Sequence, residues 1–236
     1  MRVLLVVLSG PVSSERDDIY NDWYTNVHLS DVLNVPGYIR ATRYKAFSGE
    51  RSFEQEYMAL YELEVENLDA LQAVSDEHMR RIEANEMHRS PPETIDRDNV
   101  RSMYYIETGP RLGGHDDIPE TVFMPFTEPV SEKDDDEFNR WYQEVHLPEV
   151  LDVPEFSAAS RYKETGMNMT GRPWPINFPY LAIYELADGS REAFDSAMKE
   201  LRRRIAEGDR MEISGTLGLE KVTQVYARIT DRITAT

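Results

Sequence analysis

The chain has 236 residues, with 26 Lys and Arg against 44 Asp and Glu, a net charge of −18 with histidine neutral. That length has room for one large core or two small ones. The negative charge is spread over both halves, −10 in residues 1–118 and −8 in residues 119–236, and repels phosphate backbones and anionic headgroups, which argues against nucleic acid and membrane partners. Cysteine is absent, so disulfides, thiolate nucleophiles, thiolate-ligated zinc and cysteine-held iron–sulfur clusters are excluded. No apolar run reaches membrane-spanning length. The opening Met1–Leu8 is short and lacks a signal-peptide cleavage pattern, which leaves a cytoplasmic location as the expectation.

In chain order, an apolar run (Val3–Leu8) is followed by a segment with an acidic first turn and a Ser-x-x-Asp start at Ser14 and Asp17, suited to a helix N-terminus. Aromatic and β-branched residues then predict strands over Tyr38–Lys45 and Tyr57–Leu63. In the second of these, Tyr57, Ala59, Tyr61 and Leu63 alternate with Met58, Leu60 and Glu62. A helix follows, and Arg101–Glu107 reads as a closing strand.

The whole order then repeats. Pro11–Lys45 returns as Pro129–Lys163 at a constant offset of 118, with 19 of 35 positions identical. Tyr61-Glu62-Leu63 matches Tyr184-Glu185-Leu186 at an offset of 123, so the second copy is about five residues longer. Its elements are Val122–Phe126, a helix starting near Ser131 and Asp134, strands over Phe156–Lys163 and Tyr180–Leu186, an amphipathic helix carrying Phe194, Ala197, Met198, Leu201 and Ile205, and a closing strand over Leu219–Ile229. The extra residues fall in Thr165–Pro179, too rich in proline and glycine for regular structure yet holding Met167, Met169, Trp174 and Phe178. This segment suits a lid, a plug for the barrel end, or an oligomer contact.

Each copy thus reads βαββαβ. The expected fold is α+β: two ferredoxin-like repeats (residues 1–110 and 121–236, linker 111–120) whose antiparallel sheets pack face to face as an intrachain α+β barrel, because a sheet covered by helices on one side cannot leave its other apolar face in water.

The repeated chemistry lies in Trp23–Pro36 and Trp141–Pro154. Tyr24 and His28, like Tyr142 and His146, are four apart and share a helix face. Pro148 predicts that the second of these helices ends at His146, where the dipole favours a protonated imidazole able to move protons. The alternative is structural: a histidine tying the helix end to a carbonyl. Arg43 and Arg161, in the repeated Arg-Tyr-Lys, suit an anionic oxygen or, on the alternative reading, an acid of the helical layer. Trp23, Trp141 and Trp174 are further candidate substrate contacts. His78, His88 and His115 have no counterpart in the other copy and read as surface residues. The His-x-x-Asp and His-x-x-Glu spacings lack a third ligand, so no metal site is expected.

An aromatic residue four before a histidine, then His-x-Pro, then a Pro-led turn into a strand resembles EthD-like proteins of the dimeric α+β barrel superfamily. The second copy shows it as Tyr142, His146, Pro148 and Pro154-Glu155-Phe156; the first has Tyr24, His28 and Pro36-Gly37-Tyr38 but Ser30 in place of the proline. The resemblance implies sheets paired into a barrel, usually between subunits, and acid/base work by the motif histidine. The resulting expectation is a cofactor-independent lyase or isomerase acting on a small apolar cyclic or aromatic substrate, with a homo-oligomer left open. The rivals are a non-enzymatic ligand-binding protein of a catabolic pathway and a haem protein using His28, His146, His78 or His88 as axial ligand.

Overall fold

Strand alternation decides which way each residue looks, and here it builds two kinds of core. A computed structural model describes residues 1–49, 51–114, 119–209 and 211–235; His115 and part of the expected linker lie outside the described residues. The first half runs β1 (Arg2–Ser9), α1 (Asp17–Trp23), a π-helical turn (Tyr24–His28), α2 (Leu29–Leu33), β2 (Tyr38–Ala46), β3 (Tyr57–Glu64), α3 (Leu68–Glu83) and β4 (Arg101–Glu107). A short β5 (Leu112–Gly113) lies in the connecting segment. The second half runs β6 (Thr121–Thr127), α4 (Asp135–Trp141), a π turn (Tyr142–His146), α5 (Leu147–Leu151), β7 (Phe156–Glu164), β8 (Tyr180–Leu186), α6 (Arg191–Glu207) and β9 (Val222–Arg228), with β10 (Ile233–Thr234) at the end.

Within each half the strands lie in the order β2-β3-β1-β4 and β7-β8-β6-β9. The halves are joined by hydrogen bonds at both edges. β4 pairs with β7 through Tyr105 opposite Glu164, and β9 pairs with β2 through Tyr226 opposite Ala46. The eight strands therefore close into an antiparallel barrel, which leaves neither half with a free edge. Edge pairing is what closes the barrel, a feature beyond the expected packing of two faces.

The period-two pattern of β3 is realised as read. Tyr57, Ala59, Tyr61 and Leu63 face the helices of the first half, while Met58 and Leu60 enter the barrel interior. The interior also takes Leu4, Val6 and Leu8 from the first half and Val122, Met124 and Phe126 from the second, so one core belongs to both halves. Segment Thr165–Pro179 plugs one barrel end. Trp174 sits in the interior core against Phe53 and Tyr105, at ring separations of 6.4 and 6.2 Å. Met167 and Met169 instead pack on the helical layer of the first half.

Several expectations change. The helix does not end at His146: Leu147 keeps helical torsions and α5 continues through Pro148. The missing N–H of a proline costs little in the first turn after a register shift, and the same π turn forms in the first half with Ser30 there, so the proline does not cause it. The Ser-x-x-Asp starts open on 3-10 turns without a side-chain cap, and Ser131 donates to the Asp134 carboxylate instead. The strand expected over Leu219–Ile229 is β9 and runs only Val222–Arg228, and Leu219 is fully exposed. His78, read as a surface residue, is buried, because α3 turns it onto the sheet beneath Tyr38.

Candidate functional site

The twin motifs fold into twin clusters between the first helical segment and the outer face of the sheet. The π turn gives each its shape. Its i→i+5 bonds (Leu29 N–H to Tyr24 carbonyl, Leu147 N–H to Tyr142 carbonyl) bring residues five apart over one another, where an α-helix would swing them well around the axis. Hence Trp23 stacks on His28 at 4.8 Å and 24°, and Trp141 on His146 at 4.8 Å and 23°. Tyr24 and Tyr142 meet the same imidazoles edge-on at 4.8 Å. Spacing in the sequence predicts the tyrosine contacts and misses the tryptophan stacks.

Beneath each tyrosine lies a fully buried arginine. The Arg43 guanidinium sits 4.4 Å from the Tyr24 ring centre and also faces Tyr20 and Tyr57; that of Arg161 sits 4.1 Å from Tyr142 and also faces Phe138 and Tyr180. Neither forms an ion pair with an acid among the described residues, so the alternative reading of these arginines is corrected. Aromatic faces and amide oxygens replace carboxylates as their partners.

The two clusters differ in how completely they are satisfied. In the first half, Arg43 donates from Nη1 to Thr25 Oγ1 (2.8 Å) and from Nη2 to Asn21 Oδ1 (2.9 Å). In the second, Asn139 Oδ1 accepts from Arg161 Nη1 (3.0 Å), but the position of Thr25 is taken by Gln143, whose amide turns away to the Pro110 carbonyl. Arg161 Nε and Nη2 are left buried without partners, together with His146 Nδ1. One turn on, the Asp31 carboxylate of the first half accepts from the His88 backbone N–H (2.7 Å) and lies 3.0 Å from its Nδ1, whereas Oε2 of its counterpart Glu149 is buried and unpartnered. Each such group costs about 1–3 kcal/mol, more when charged. The indole N–H is unpartnered in both clusters (Trp23 and Trp141), but the open atoms of Arg161, His146 and Glu149 belong to the second alone. A pocket of about 470 Å³, lined by Glu149, Ile205, Gly208, Met211, Glu212 and Ile213, opens beside that helical turn.

Burial governs the electrostatics. It depresses both His28 and His146 to about 4, with Arg161 and then Lys221 adding to the effect at His146; at His28, Asp31 opposes it and Arg43 reinforces it. Both imidazoles are neutral near pH 7, so the dipole argument for a protonated histidine is overturned by desolvation. Burial raises Tyr24 and Tyr142 above ordinary phenols and lowers the Arg161 guanidinium. Glu149 is raised by burial first, against a hydrogen bond from the Glu212 backbone, with the Glu212 and Asp152 charges adding to the rise.

Haem does not fit the residues present. His78 Nδ1 is 3.0 Å from the Tyr38 hydroxyl in the core, His28 and His146 each have one face on a tryptophan and a tyrosine edge-on, and none of the three lines a described cavity. His88 lines an open surface pocket and is already paired with Asp31. No group of three His, Asp or Glu suited to a metal ion occurs among the described residues. Trp174 lies in the barrel interior, separate from both clusters. No described helix is long and apolar enough to cross a membrane.

No family model matches the sequence, and no curated protein matches it. Solved structures do match the fold. An anthrone oxidase-like protein superposes with a TM-score of 0.56 at 15% identity, covering 99% of this chain and 93% of the other. A monooxygenase candidate from Lactobacillus acidophilus NCFM gives 0.53 at 10% identity, covering 99% and 98%. A cyanide-bound variant of the chlorite dismutase of Candidatus Nitrospira defluvii gives 0.51 at 11% identity, covering 96% and 90%. At such identities the likeness speaks for the fold alone. The architecture shared with these structures is the closed eight-stranded α+β barrel.

Proposed function

We propose that the second half of the chain holds the working site of a cofactor-independent lyase or isomerase acting on a small, largely apolar cyclic or aromatic molecule. The observation that carries this reading is the open set in the second cluster: a buried guanidinium with two unused donors against the Tyr142 ring, whose other neighbour is an imidazole neutral near pH 7. In the proposed step, which requires the pocket beside Glu149 to open as far as the imidazole, His146 takes a proton from carbon next to a carbonyl, and the electron pair moves onto the carbonyl oxygen. The free N–H groups of Arg161 hold the resulting enolate oxygen. Tyr142 and Trp141 fix the imidazole plane, and return of the proton from His146 to a different atom, or loss of a β-substituent, completes isomerisation or elimination. Similar folds bearing enzyme names, the anthrone oxidase-like protein and the chlorite dismutase, support an enzyme over a passive binder.

The same reading takes residues 1–110 and 121–236 as ferredoxin-like repeats of the EthD type joined through 111–120. It makes the first cluster, where Thr25 and Asn21 hold Arg43 and His88 holds Asp31, the structural twin. The test is deuterium exchange at the α-carbon of a panel of enolisable cyclic ketones, followed by NMR in D₂O with a chelator present. The expected result is exchange above the solvent rate that is level near neutral pH and falls below about pH 4, as His146 becomes protonated. No exchange with any member of the panel, or a rate abolished by chelation, contradicts the proposal.

A further inference from the structure

The barrel end opposite the Trp174 plug opens into a cavity of about 600 Å³ that none of the cluster residues lines. Ten of its 22 lining residues form five pairs related by the internal repeat, so both halves contribute to it. The apolar walls are Leu4 and Leu60 from one half with Val122 and Ile183 from the other. The polar groups are Thr42 and Tyr44 with their counterparts Ser160 and Tyr162. Tyr44, Thr42 and Ser160 are 2%, 6% and 3% exposed. The hydroxyls of Tyr44 and Thr42 make no hydrogen bond among the described residues, and Ser160 turns toward Tyr162. Burial first, then nearby carboxylates (Glu185 at Tyr44, Glu62 at Tyr162), pushes both phenols above their ordinary range, so they remain O–H donors.

Several of the charges around the mouth are paired in situ, beside Glu64 and Arg232, which line it as well. Glu62 is held by Arg40 at 2.7 Å. The counterpart of Arg40 is Ala158, and Arg111 from the connecting segment supplies the missing guanidinium to Glu185 at 2.7 Å. Arg2 faces Glu107 at 4.0 Å, and the equivalent positions carry the reversed pair Glu120 and Arg228. A charged ligand competes with these pairs, whereas a neutral one leaves them intact.

We infer that this mouth is a second binding site, separate from the histidine cluster, for an uncharged ring compound with acceptor oxygens at both ends, of the quinone class. The ring lies between the four aliphatic side chains, and each half presents a phenol to one oxygen. The volume suits a bicyclic or tricyclic molecule.

The test is calorimetric titration with 1,4-naphthoquinone and, as the charged arm, 1,4-naphthoquinone-2-sulfonate. One-to-one binding of the neutral probe is expected, with the sulfonate at least about tenfold weaker. The Tyr44→Phe/Tyr162→Phe double variant, which removes two hydroxyls and no apolar volume, is expected to weaken binding by about tenfold or more. Thr42→Val/Ser160→Ala provides a second pair of deletions should the first fail to fold. His146→Ala is expected to bind like the parent, which separates failure of this site from failure of the proposed catalytic one. No saturable binding up to about 1 mM, equal affinity in both double variants, or tighter binding of the sulfonate overturns the inference.

Discussion

Three histidines are folded in a form that acid must disrupt, which makes the pH dependence of stability a direct check on the packing. Desolvation lowers His28 and His146 to about 4 and His78 to about 3, against 6.5 in an open chain. The folded state resists protons that the unfolded state accepts, so this stabilisation is complete above pH 6.5 and is lost as pH falls toward the folded values. By pH 5 a fully shifted histidine has forfeited about 2 kcal/mol. His78, 4% exposed, is assigned that full amount, and half-buried His28 and His146 about half of it each, for a total near 4 kcal/mol. Glu107, Glu149 and Glu164 have raised values and oppose the trend, chiefly at lower pH. Urea unfolding followed by circular dichroism at pH 7.5 and pH 5 measures the difference. A loss of about 4 kcal/mol is expected, against a typical total of about 5–15, and His78→Phe is expected to remove the largest single share of the slope. Equal or greater stability at pH 5 refutes the burial argument.

Other substitutions probe separate parts of the structure. Gln143→Thr reproduces the first half's partner for Arg161 and is expected to stabilise by about 1 kcal/mol while weakening any anion held there; thermal melts and enolate-analogue titrations read the two effects. Trp174→Ala opens the plugged barrel end and is expected to cost about 3–5 kcal/mol by denaturant unfolding. Tyr38→Phe leaves His78 Nδ1 and the Tyr104 hydroxyl each short of one partner and is expected to cost about 1–2 kcal/mol.

Much of this architecture is legible in the chain because period and repetition are strong signals. The offset of 118 announces two equivalent halves, and the alternation of Tyr57 through Leu63 correctly assigns helix-facing and interior residues. What escapes is whatever depends on a register shift or on distant neighbours. The Trp23–His28 stack needs a π turn, which local sequence does not reveal, and the same turn carries the helix past Pro148. Burial of His78 depends on how α3 rotates on the sheet. The aromatic boxes around Arg43 and Arg161 assemble from helix and strand residues far apart in sequence, so 44 acids in the chain are a poor guide to the partners of these arginines. The asymmetry between the clusters is written in single differences, Thr25 against Gln143 and Asp31 against Glu149, whose meaning appears only once their partners are seen.

The sharpest measurement compares single replacements of the twin imidazoles in the deuterium-exchange assay. His146→Ala is expected to lower the exchange rate by about 10²–10⁴, and His28→Ala, in the structural twin, to leave it within about threefold at equal folded fraction. Equal losses from the two replacements, or none from His146→Ala, contradict a working site in the second half.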